Sequence, residues 1–357
     1  MTEPPVRSHR RRSGRPAPAV GAAVVVVLVL AGVAGFAGYH RRSAPASATA
    51  AEVTPAATAP ASAPVATSPS ASAKPRSKAP TAKPPAASKQ PAGFTLTWRD
   101  DFAGGKGTGL NRKTYRYDTG PGSKFGTGEI ETMTDSTRNV FHDGQGHLVL
   151  RALHSGGDPA QGWTSGRFET EAATFGAAKG GVVRIEASIR QPDVGKGTGA
   201  GYWPAFWMLG NGLRSGGTWP GTGEVDILEN VNGRDSVFGT LHCGVNPGGP
   251  CNESTGIGHE QTCAGCRGGF HTYAVEIDRS TATEQIRWLL DGRTYFTLKQ
   301  SKVPGKTWTD AVDHPFFIIF DLAVGGGFPA AFGGGPNAAT TSGGAMTIDY
   351  VAVYNRR

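Results

Sequence analysis

Three acidic residues stand close together in the segment GEVDILENVNG: Glu224, Asp226 and Glu229. The residues between them are valine, isoleucine and leucine, which is typical of a central strand, and acids are rarely buried there unless they are paired. Retaining glycoside hydrolysis uses two such carboxyl groups about 5–5.5 Å apart, one as nucleophile at the anomeric carbon and one as proton donor to the leaving oxygen. A solvated acidic strand on a sheet surface is the alternative interpretation.

The spacing of these acids makes a demand on the strand that carries them. Side chains alternate faces with a period of two, so Glu224 and Asp226 share a face, whereas Glu229 would point away in a regular strand. A β-bulge near Ile227-Leu228 adds the residue that returns Glu229 to that face. We therefore predict a bulged strand with both glutamates on one concave surface. Asp226 would lie between them, hydrogen-bond the nucleophile and help to separate the pKa values of its neighbours.

The elements that must position this strand read as all-β from Gly93 onward. Glycine (53 residues) and proline (25 residues) favour a turn-rich β protein with a low-complexity segment attached. Asp291-Gly292 lies between two strand-like runs and predicts a type I′ hairpin, and helical periodicity is scarce. The size of this part suits one large sandwich. Strands are predicted over 94–98, 147–152, 182–190, 272–277, 285–290, 316–322 and 347–354.

The net charge of +8 belongs to the N-terminal part of the chain rather than to the predicted sandwich. Residues 1–92 carry 12 of the 36 Lys/Arg and 2 of the 28 Asp/Glu, which leaves 24 basic and 26 acidic residues for 93–357. Phosphate binding needs clustered positive charge on the folded surface. The charge distribution therefore argues against a nucleic-acid partner.

Residues 1–42 read as a basic N-terminus followed by an apolar segment over 20–39. Twenty residues at about 1.5 Å each span roughly the 30 Å hydrocarbon core, and the arginine excess before the segment favours an N-inside orientation. The length favours an uncleaved anchor, while Ala46-Ser47-Ala48 offers a signal-peptide cleavage site. Either way, we expect the rest of the chain to be extracellular or at the cell surface, with a membrane contact only if the helix is retained.

Residues 43–92 are almost all Ala, Pro, Ser, Thr and Lys and contain no aromatic residue. Such a segment cannot bury enough apolar surface to offset its ordering entropy. We predict a disordered linker that, extended at about 3.1 Å per residue, acts as a spacer.

The acidic segment and its surroundings resemble glycoside hydrolase family 16. E-V-D-I-L-E has the six-residue bulged form of the laminarinase-like members, and further blocks follow in the family's usual order over 93–357. These blocks are WRDDF (98–102), GEIETMTD (128–135), NVFHDGQGHLVLRA (139–152), WTSGRFET (163–170), GYWPAFWML (201–209), WPGTGEVDILEN (219–230), FHTYAVEID (270–278) and MTIDYVAVY (346–354).

The resemblance implies a concanavalin-like β-jelly-roll sandwich with a glycan-binding cleft, built from residues 93–357. It implies Glu224 as nucleophile, Glu229 as acid/base and Asp226 as assisting carboxylate. The function we expect is a retaining endo-glycosidase that cuts internal β-1,3-glucosidic bonds of laminarin-like glucans, with no cofactor for catalysis, acting as a monomer. The alternatives are another specificity on the same fold (galactan or mixed-linkage glucan), a transglycosylase, a non-catalytic glycan-binding module and a wall-anchored structural protein.

Several residues around the acids are candidates for binding the glycan, because aromatic faces stack on the C–H faces of sugar rings. A tryptophan is otherwise a common core residue, a lone histidine is commonly structural, and an arginine can equally form a surface ion pair. In the loop over 325–335, Phe328 occupies a position where relatives often carry tryptophan. The candidate substrate-binding residues are Trp203, Trp207, Trp219, His242 and Arg167.

Four cysteines remain, two of them in a C-x-x-C, and that spacing alone would also suit a zinc knuckle or a redox pair. Export past the membrane favours disulfides, and of the three possible pairings we favour Cys243–Cys251 and Cys263–Cys266. The resemblance further implies a structural calcium on the convex face, held by Asp101, the carbonyl of Gly146 and Asp349. Oxygen ligands suit calcium, although Asp349 could instead cap a strand.

Overall fold

A computed structural model describes residues 90–357 of the 357-residue chain. The predicted apolar segment over 20–39 and nearly all of the predicted linker lie outside these residues, so both stay predictions. Within residues 90–357, no helix has the length and apolar character needed to cross a membrane.

The described part of the chain is dominated by β-strands, which connect through turns and short helices. In chain order the strands are β1 (Thr95–Asp100), β2 (Tyr115–Tyr117), β3 (Gly120–Pro121), β4 (Thr132–Met133), β5 (Val140–His142), β6 (Leu148–Arg151), β7 (Leu153–His154), β8 (Trp163–Ser165), β9 (Arg167–Thr170), β10 (Val182–Arg190), β11 (Tyr202–Gly210), β12 (Glu224–Glu229), β13 (Ser236–His242), β14 (Ile257–Thr262), β15 (His271–Asp278), β16 (Gln285–Leu290), β17 (Arg293–Lys299), β18 (Phe316–Val324) and β19 (Ala345–Arg356). The helices are α1 (Gly305–Val312), α2 (Gly327–Ala331) and 3₁₀ turns at Gly122–Phe125, Asn211–Ser215 and Gln300–Lys302.

Two large sheets form the body of the molecule. One, which we call the cleft sheet, has the strand order β14-β13-β12-β11-β18-β9-β2. The other, which we call the back sheet, has the order β17-β16-β15-β10-β19-β6-β5, and β1 also pairs with β19. A small third sheet, β3-β4-β8-β7, lies beside them. Neighbouring strands within both large sheets are antiparallel.

One apolar core fills the space between the two large sheets. It takes Phe206 and Ile318 from the cleft sheet and Ile185 and Val275 from the back sheet, and all four are fully buried. Phe206 stacks on Phe320 with ring centroids 4.6 Å apart, which is a favourable offset-stacked separation. Alternation along each strand thus gives every central strand one face for the core and one for the outside.

The predicted all-β sandwich is confirmed, and each of the seven predicted strands coincides with an observed one to within a few residues. Asp291 and Gly292 have φ values of +50° and +74°, as a type I′ turn requires, and they join β16 to β17. The segment over 325–335, predicted as a loop, contains the short helix α2.

Both predicted disulfides are present, Cys243–Cys251 and Cys263–Cys266. The first closes the start of the loop between β13 and β14, next to the acidic strand. The second closes a tight turn just before β15. A disulfide in place leaves no thiolate for zinc, so the knuckle interpretation does not apply to this form, whereas an oxidised redox pair would form the same Cys263–Cys266 bond.

Candidate active site

The strand β12 carries the three acids, and its register shows how they come to share a face. Its neighbour β11 pairs Leu209 with Glu224, Trp207 with Asp226 and Ala205 with Glu229. Partners spaced by two residues lie on one face, so the acids do as well. The pairing jumps from Asp226 to Leu228, which leaves Ile227 as the additional residue of a bulge. The predicted bulge is confirmed, and its apolar residues point into the core.

The bulge interrupts the backbone hydrogen bonds of β12, and a side chain of the back sheet replaces one of the missing hydrogen-bond partners. The indole N–H of Trp288, a fully buried residue of β16, donates to the carbonyl oxygen of Asp226 at 2.7 Å. A buried carbonyl without a partner would cost free energy, so this hydrogen bond stabilises the local distortion. The acidic face is therefore fixed from behind by the core itself.

Two tryptophans hold the two glutamates from the cleft side. Trp203 Nε1 donates to Glu229 Oε1 at 2.9 Å, and Trp219 Nε1 donates to Glu224 Oε2 at 3.0 Å. Both tryptophans are only half-buried, so each indole also presents surface to the cleft. The structure thus brings Trp203 and Trp219 to the acids as predicted, with a positioning contact in addition to any stacking surface for sugar.

His242, on β13 opposite Glu224, lies among the carboxylates. Its Nε2 is 3.3 Å from Asp226 Oδ2 and 3.9 Å from Glu224 Oε1, while Nδ1 is 2.7 Å from Glu253 Oε2. Within residues 90–357 the Asp226 carboxylate forms its ion pair with this histidine, and the hydrogen bond that we predicted from Asp226 to Glu224 is absent. The carboxylates of Asp226 and Glu224 therefore both lie near the His242 imidazole and form no hydrogen bond with each other.

Burial and charge shift the pKa values of this group strongly. Burial, with the charge of Asp226, raises the pKa of Glu224 to about 8, although His242 and the Trp219 hydrogen bond act in the opposite direction. Burial and Asp226 likewise raise the pKa of Glu229 well above its ordinary value, against the hydrogen bond from Trp203. Burial lowers the pKa of His242, but the carboxylates of Asp226 and Glu253 raise it well above the usual value for histidine. Raised carboxyl pKa values beside a cation are suited to acid–base chemistry.

Trp207 and Arg167 form a second polar group farther along the cleft sheet. Trp207 Nε1 donates to Asp321 Oδ1 at 2.6 Å, and burial raises the pKa of Asp321 to about 7 despite the nearby Arg167. The Arg167 guanidinium lies over the Trp207 ring at 4.8 Å and pairs with Asp118 at 3.0 Å. The ion pair of Arg167 is largely but not fully buried, in contrast to the surface pair considered from the sequence.

An aromatic cluster forms the edge of the cleft next to Trp203. Phe328, on α2, contacts Trp203, Phe238 and Phe332 with ring centroids 5.1–5.6 Å apart. Phe238 pairs with Glu229 across β12 and β13, which places the cluster on the side of Glu229. A sugar ring seated here would meet apolar edges and faces.

Comparison with known proteins decides the family. The family model described as "XgeA-like, catalytic GH16 domain" matches residues 194–268. The β-glucanase of Rhodothermus marinus is 31% identical over 274 residues, which covers 72% of this chain and 84% of that protein. The chain belongs to glycoside hydrolase family 16.

Further relatives of this family 16 chain agree with the assignment. The crystal structure of an endo-1,3-β-glucanase from Streptomyces sioyaensis superimposes with a TM-score of 0.72 at 46% identity, covering 76% of this chain and 99% of that one. Glucan endo-1,3-β-glucosidase A1 of Niallia circulans is 32% identical over 295 residues, which is 74% of this chain and 38% of that protein. The chain therefore spans less than half of the Niallia circulans enzyme.

The predicted calcium ligands of this family 16 domain converge on one strand. Along one edge of β19, residues 345–348 pair with β6 and residues 351–355 pair with β1, so Asp349 lies between the two. Gly146 precedes β6 and Asp101 follows β1, which brings all three positions to this gap. Asp349 Oδ1 is buried without a hydrogen-bond partner, which fits a cation ligand, whereas Asp101 pairs with Arg99 at 2.6 Å.

Two residues of the site were missed from the sequence. Glu253 lies in an irregular loop where no periodicity indicates which way a side chain points. Asp321 lies in the apolar strand FFIIFDLAV, and an acid in such a run is the same signal that singled out β12. The second residue could have been found from sequence, and the first could not.

Proposed function

We propose that the family 16 domain is a retaining endo-glycosidase that hydrolyses internal β-1,3-glucosidic bonds of laminarin-like glucans. The observation that carries this proposal is the bulged strand β12, which presents Glu224 and Glu229 on one face of the cleft. Each glutamate is held by a tryptophan indole and has no lysine or arginine partner among the ion pairs of residues 90–357. Such carboxyl groups are free to attack and to transfer protons.

Glu224 is the nucleophile and Glu229 the acid/base in this proposal, and their environments support different roles. His242 Nε2 lies 3.9 Å from Glu224 Oε1, so a positive imidazole favours the ionised form that attacks the anomeric carbon. The pKa of Glu229 is raised by burial and by Asp226, which keeps it protonated for the leaving oxygen. Asp226 assists between them by holding His242 beside the nucleophile.

The reaction proceeds in two steps on these residues. Glu224 displaces the leaving sugar to form a covalent glycosyl ester while Glu229 donates its proton to the glycosidic oxygen. Glu229, now ionised, then takes a proton from water; the water oxygen bonds to the anomeric carbon as the bond between that carbon and the Glu224 oxygen breaks, which releases Glu224 as a carboxylate. Carboxyl groups alone carry both steps, so the chemistry requires no cofactor.

The choice of β-1,3-glucan rests on the relatives, whose names specify endo-1,3-β-glucanase or β-glucanase activity. The test is the release of reducing ends from laminarin, curdlan, lichenan and agarose in parallel. We expect laminarin and curdlan to be cleaved to oligosaccharides. Faster cleavage of lichenan or agarose would assign the mixed-linkage or galactan alternative. Longer products than substrate would assign transglycosylation, and no turnover of any glycan would favour a binding module.

We further propose that the domain is an extracellular or cell-surface monomer, tethered through residues 1–92. The proposal is supported by the apolar segment over 20–39, the low-complexity stretch after it and the two disulfides. A chain that begins at Gly93 should fold and turn over glucan at the rate of the longer protein. If the protein that begins at Gly93 were inactive or insoluble, the predicted domain boundary would be wrong. If the full-length chain were found outside the membrane fraction of the cells, the predicted anchor would be wrong.

We also propose a structural calcium held by Asp349, the Gly146 carbonyl and Asp101, with no part in catalysis. Support comes from the unpartnered Oδ1 of Asp349 and from the convergence of the three positions on β19. Calcium should raise the unfolding temperature of the wild type and leave that of Asp349→Asn unchanged. An equal response of both proteins would contradict the site.

A further inference from the structure

Glu253 lies outside the catalytic strand but is bound into the same polar group. It belongs to the loop between β13 and β14 that the Cys243–Cys251 disulfide closes at its start. Its side chain is 0% exposed, and both of its oxygens accept hydrogen bonds: Oε2 from His242 Nδ1 at 2.7 Å and Oε1 from the Cys243 backbone N–H at 2.8 Å. One carboxylate thus fixes both the histidine ring and the backbone at the adjoining cysteine.

The position of Glu253 determines how many protons His242 carries. An ionised carboxylate only accepts hydrogen bonds, so the Nδ1 facing Glu253 carries a proton. The other ring nitrogen faces Asp226 at 3.3 Å and Glu224 at 3.9 Å, which are also acceptors when ionised. With acceptors on both sides, the geometry favours the doubly protonated imidazolium.

We propose that Glu253 is a positioning residue for catalysis: it holds His242 as an imidazolium turned towards Asp226 and Glu224, and so lowers the pH at which the nucleophile ionises. This inference rests on the proposed function and adds a residue to it. Glu253 itself contacts neither Glu224 nor the cleft, because its two carboxylate oxygens accept hydrogen bonds from His242 and from the Cys243 backbone N–H. Its effect on the reaction therefore passes through the histidine.

The charges around the ring give the direction of the expected change. His242 faces Glu224 and Asp226 from β12, Glu253 from the loop and the ring of Trp219 at 5.8 Å. His242 lowers the pKa of Glu224 by more than Glu253 raises it. Loss of the Glu253 charge removes its own small raising effect on the pKa of Glu224. It also removes the charge of His242, and with it the larger lowering effect. The nucleophile should then ionise at higher pH.

Glu253→Gln is the variant that tests this directly. An amide has one acceptor oxygen, so it cannot serve both His242 Nδ1 and the Cys243 N–H. The acid limb of kcat/KM against pH, which reports ionisation of Glu224 in the free enzyme, should move up by ~1 pH unit, lowering kcat/KM ~10-fold on that limb. His242→Gln should produce a shift of similar size, and the double variant should be no worse than His242→Gln.

Asp291→Asn is the matched control, because Asp291 makes the same pair of contacts elsewhere. It accepts from His271 Nδ1 at 2.7 Å and from the Thr272 backbone N–H at 2.9 Å, in the hairpin between β16 and β17. Its pH profile should equal that of the wild type. An unshifted acid limb in folded Glu253→Gln, or a double variant in which the two losses simply add, would overturn the proposal.

A direct reading of the protons on His242 does not depend on how the variants fold. In ¹⁵N spectra of histidine-labelled protein at pH 7, the His242 signals are those missing from His242→Gln or, if that variant is unfolded, those perturbed by a bound oligosaccharide. Both ring nitrogens should carry protons. A ring with one proton would contradict the proposal while the enzyme still cleaves glucan, whereas inactivity of the wild type on every glucan would contradict the proposed function instead.

Discussion

The outer faces of the two large sheets both carry acidic residues in their central strands, but these acids have different hydrogen-bond and ion-pair partners. On the back sheet, Glu276 pairs with Arg184 at 3.1 Å and with Arg287 at 2.8 Å. Arg287 also pairs with Asp278. On the cleft sheet, Glu224 and Glu229 receive hydrogen bonds from tryptophan indoles and lie near one histidine.

The pKa values follow this difference in partners. Burial alone would raise the pKa of Asp278, but hydrogen bonds from Ser280 and Arg287 lower it to about 2. The pKa of Glu224 stands at about 8, because burial and Asp226 outweigh the single histidine. An acid that is neutralised by arginine contributes to the fold, and an acid left without one is available for proton transfer.

The largest effect is expected from Glu224→Ala. Removal of the nucleophile should lower kcat on laminarin by ~10⁴-fold or more, as for other catalytic nucleophiles. Azide should fill the space and form the α-glycosyl azide, which NMR of the product identifies. A β-azide from this variant would show that Glu224 is not the nucleophile.

Glu229→Ala should have the next largest effect, and one that depends on the substrate. Loss of the general acid should lower kcat on laminarin by ~10²–10⁴-fold. An aryl glycoside with an activated leaving group needs no proton, so its glycosylation step should be much less affected. Azide should give the β-azide, by attack on the covalent intermediate. Equal losses on both substrates would contradict the role of Glu229 as proton donor.

Trp219→Phe keeps the ring and removes the indole N–H that Glu224 accepts. A hydrogen bond to a charged group contributes about 1.5–3 kcal/mol, so kcat/KM should fall ~10–100-fold, mainly on the acid limb of its pH profile. The control is Trp98→Phe, which makes the same substitution on the back sheet, away from the acids. Trp288→Phe would not serve, because it leaves the buried carbonyl of Asp226 without its hydrogen-bond donor. A loss of the same size in Trp98→Phe would contradict the specific contact.

Glu276→Gln and Glu224→Gln should change stability in opposite directions. Glu276→Gln leaves two arginines under-compensated and should cost about 3 kcal/mol, with turnover of the folded enzyme unchanged. The folded pKa of Glu224 lies above its unfolded value, so its contribution to stability falls as pH rises from about 4.5 to about 8. Glu224→Gln should therefore raise Tm at pH 8 by ~2–4 °C while removing activity. Thermal unfolding of both variants tests the pair, and a fall in Tm for Glu224→Gln would contradict the distinction.

The cleft sheet also shows what the sequence could and could not predict. The bulge near Ile227-Leu228 was required by a single parity argument, since Glu229 follows Glu224 by five positions, an odd offset. The hairpin at Asp291-Gly292 followed from the backbone preferences of those two residues. Local rules of this kind do not depend on the order of strands in a sheet.

The contacts that the sequence did not predict join different strands or a strand and a loop. Trp288 reaches the bulge from the opposite sheet, Asp118 takes the charge of Arg167, and Glu253 turns His242 towards the acids. Each of these contacts depends on the order of strands in a sheet or on the path of an irregular loop. The alternation of apolar and polar residues along a strand indicates neither of these features. The predicted hydrogen bond from Asp226 to Glu224, which is absent, has the same origin, because the strand alone does not show that the histidine of β13 lies beside both carboxylates.

In the function proposed above, Glu224 and Glu229 work as the nucleophile and the acid/base of a retaining enzyme. The most direct test follows the anomeric protons of freshly released oligosaccharide by ¹H NMR during laminarin hydrolysis. Two displacements at the same carbon predict the β-anomer first, followed by slow mutarotation to the equilibrium mixture. Initial release of the α-anomer would mean a single displacement by water, and would contradict the assignment of Glu224 as nucleophile.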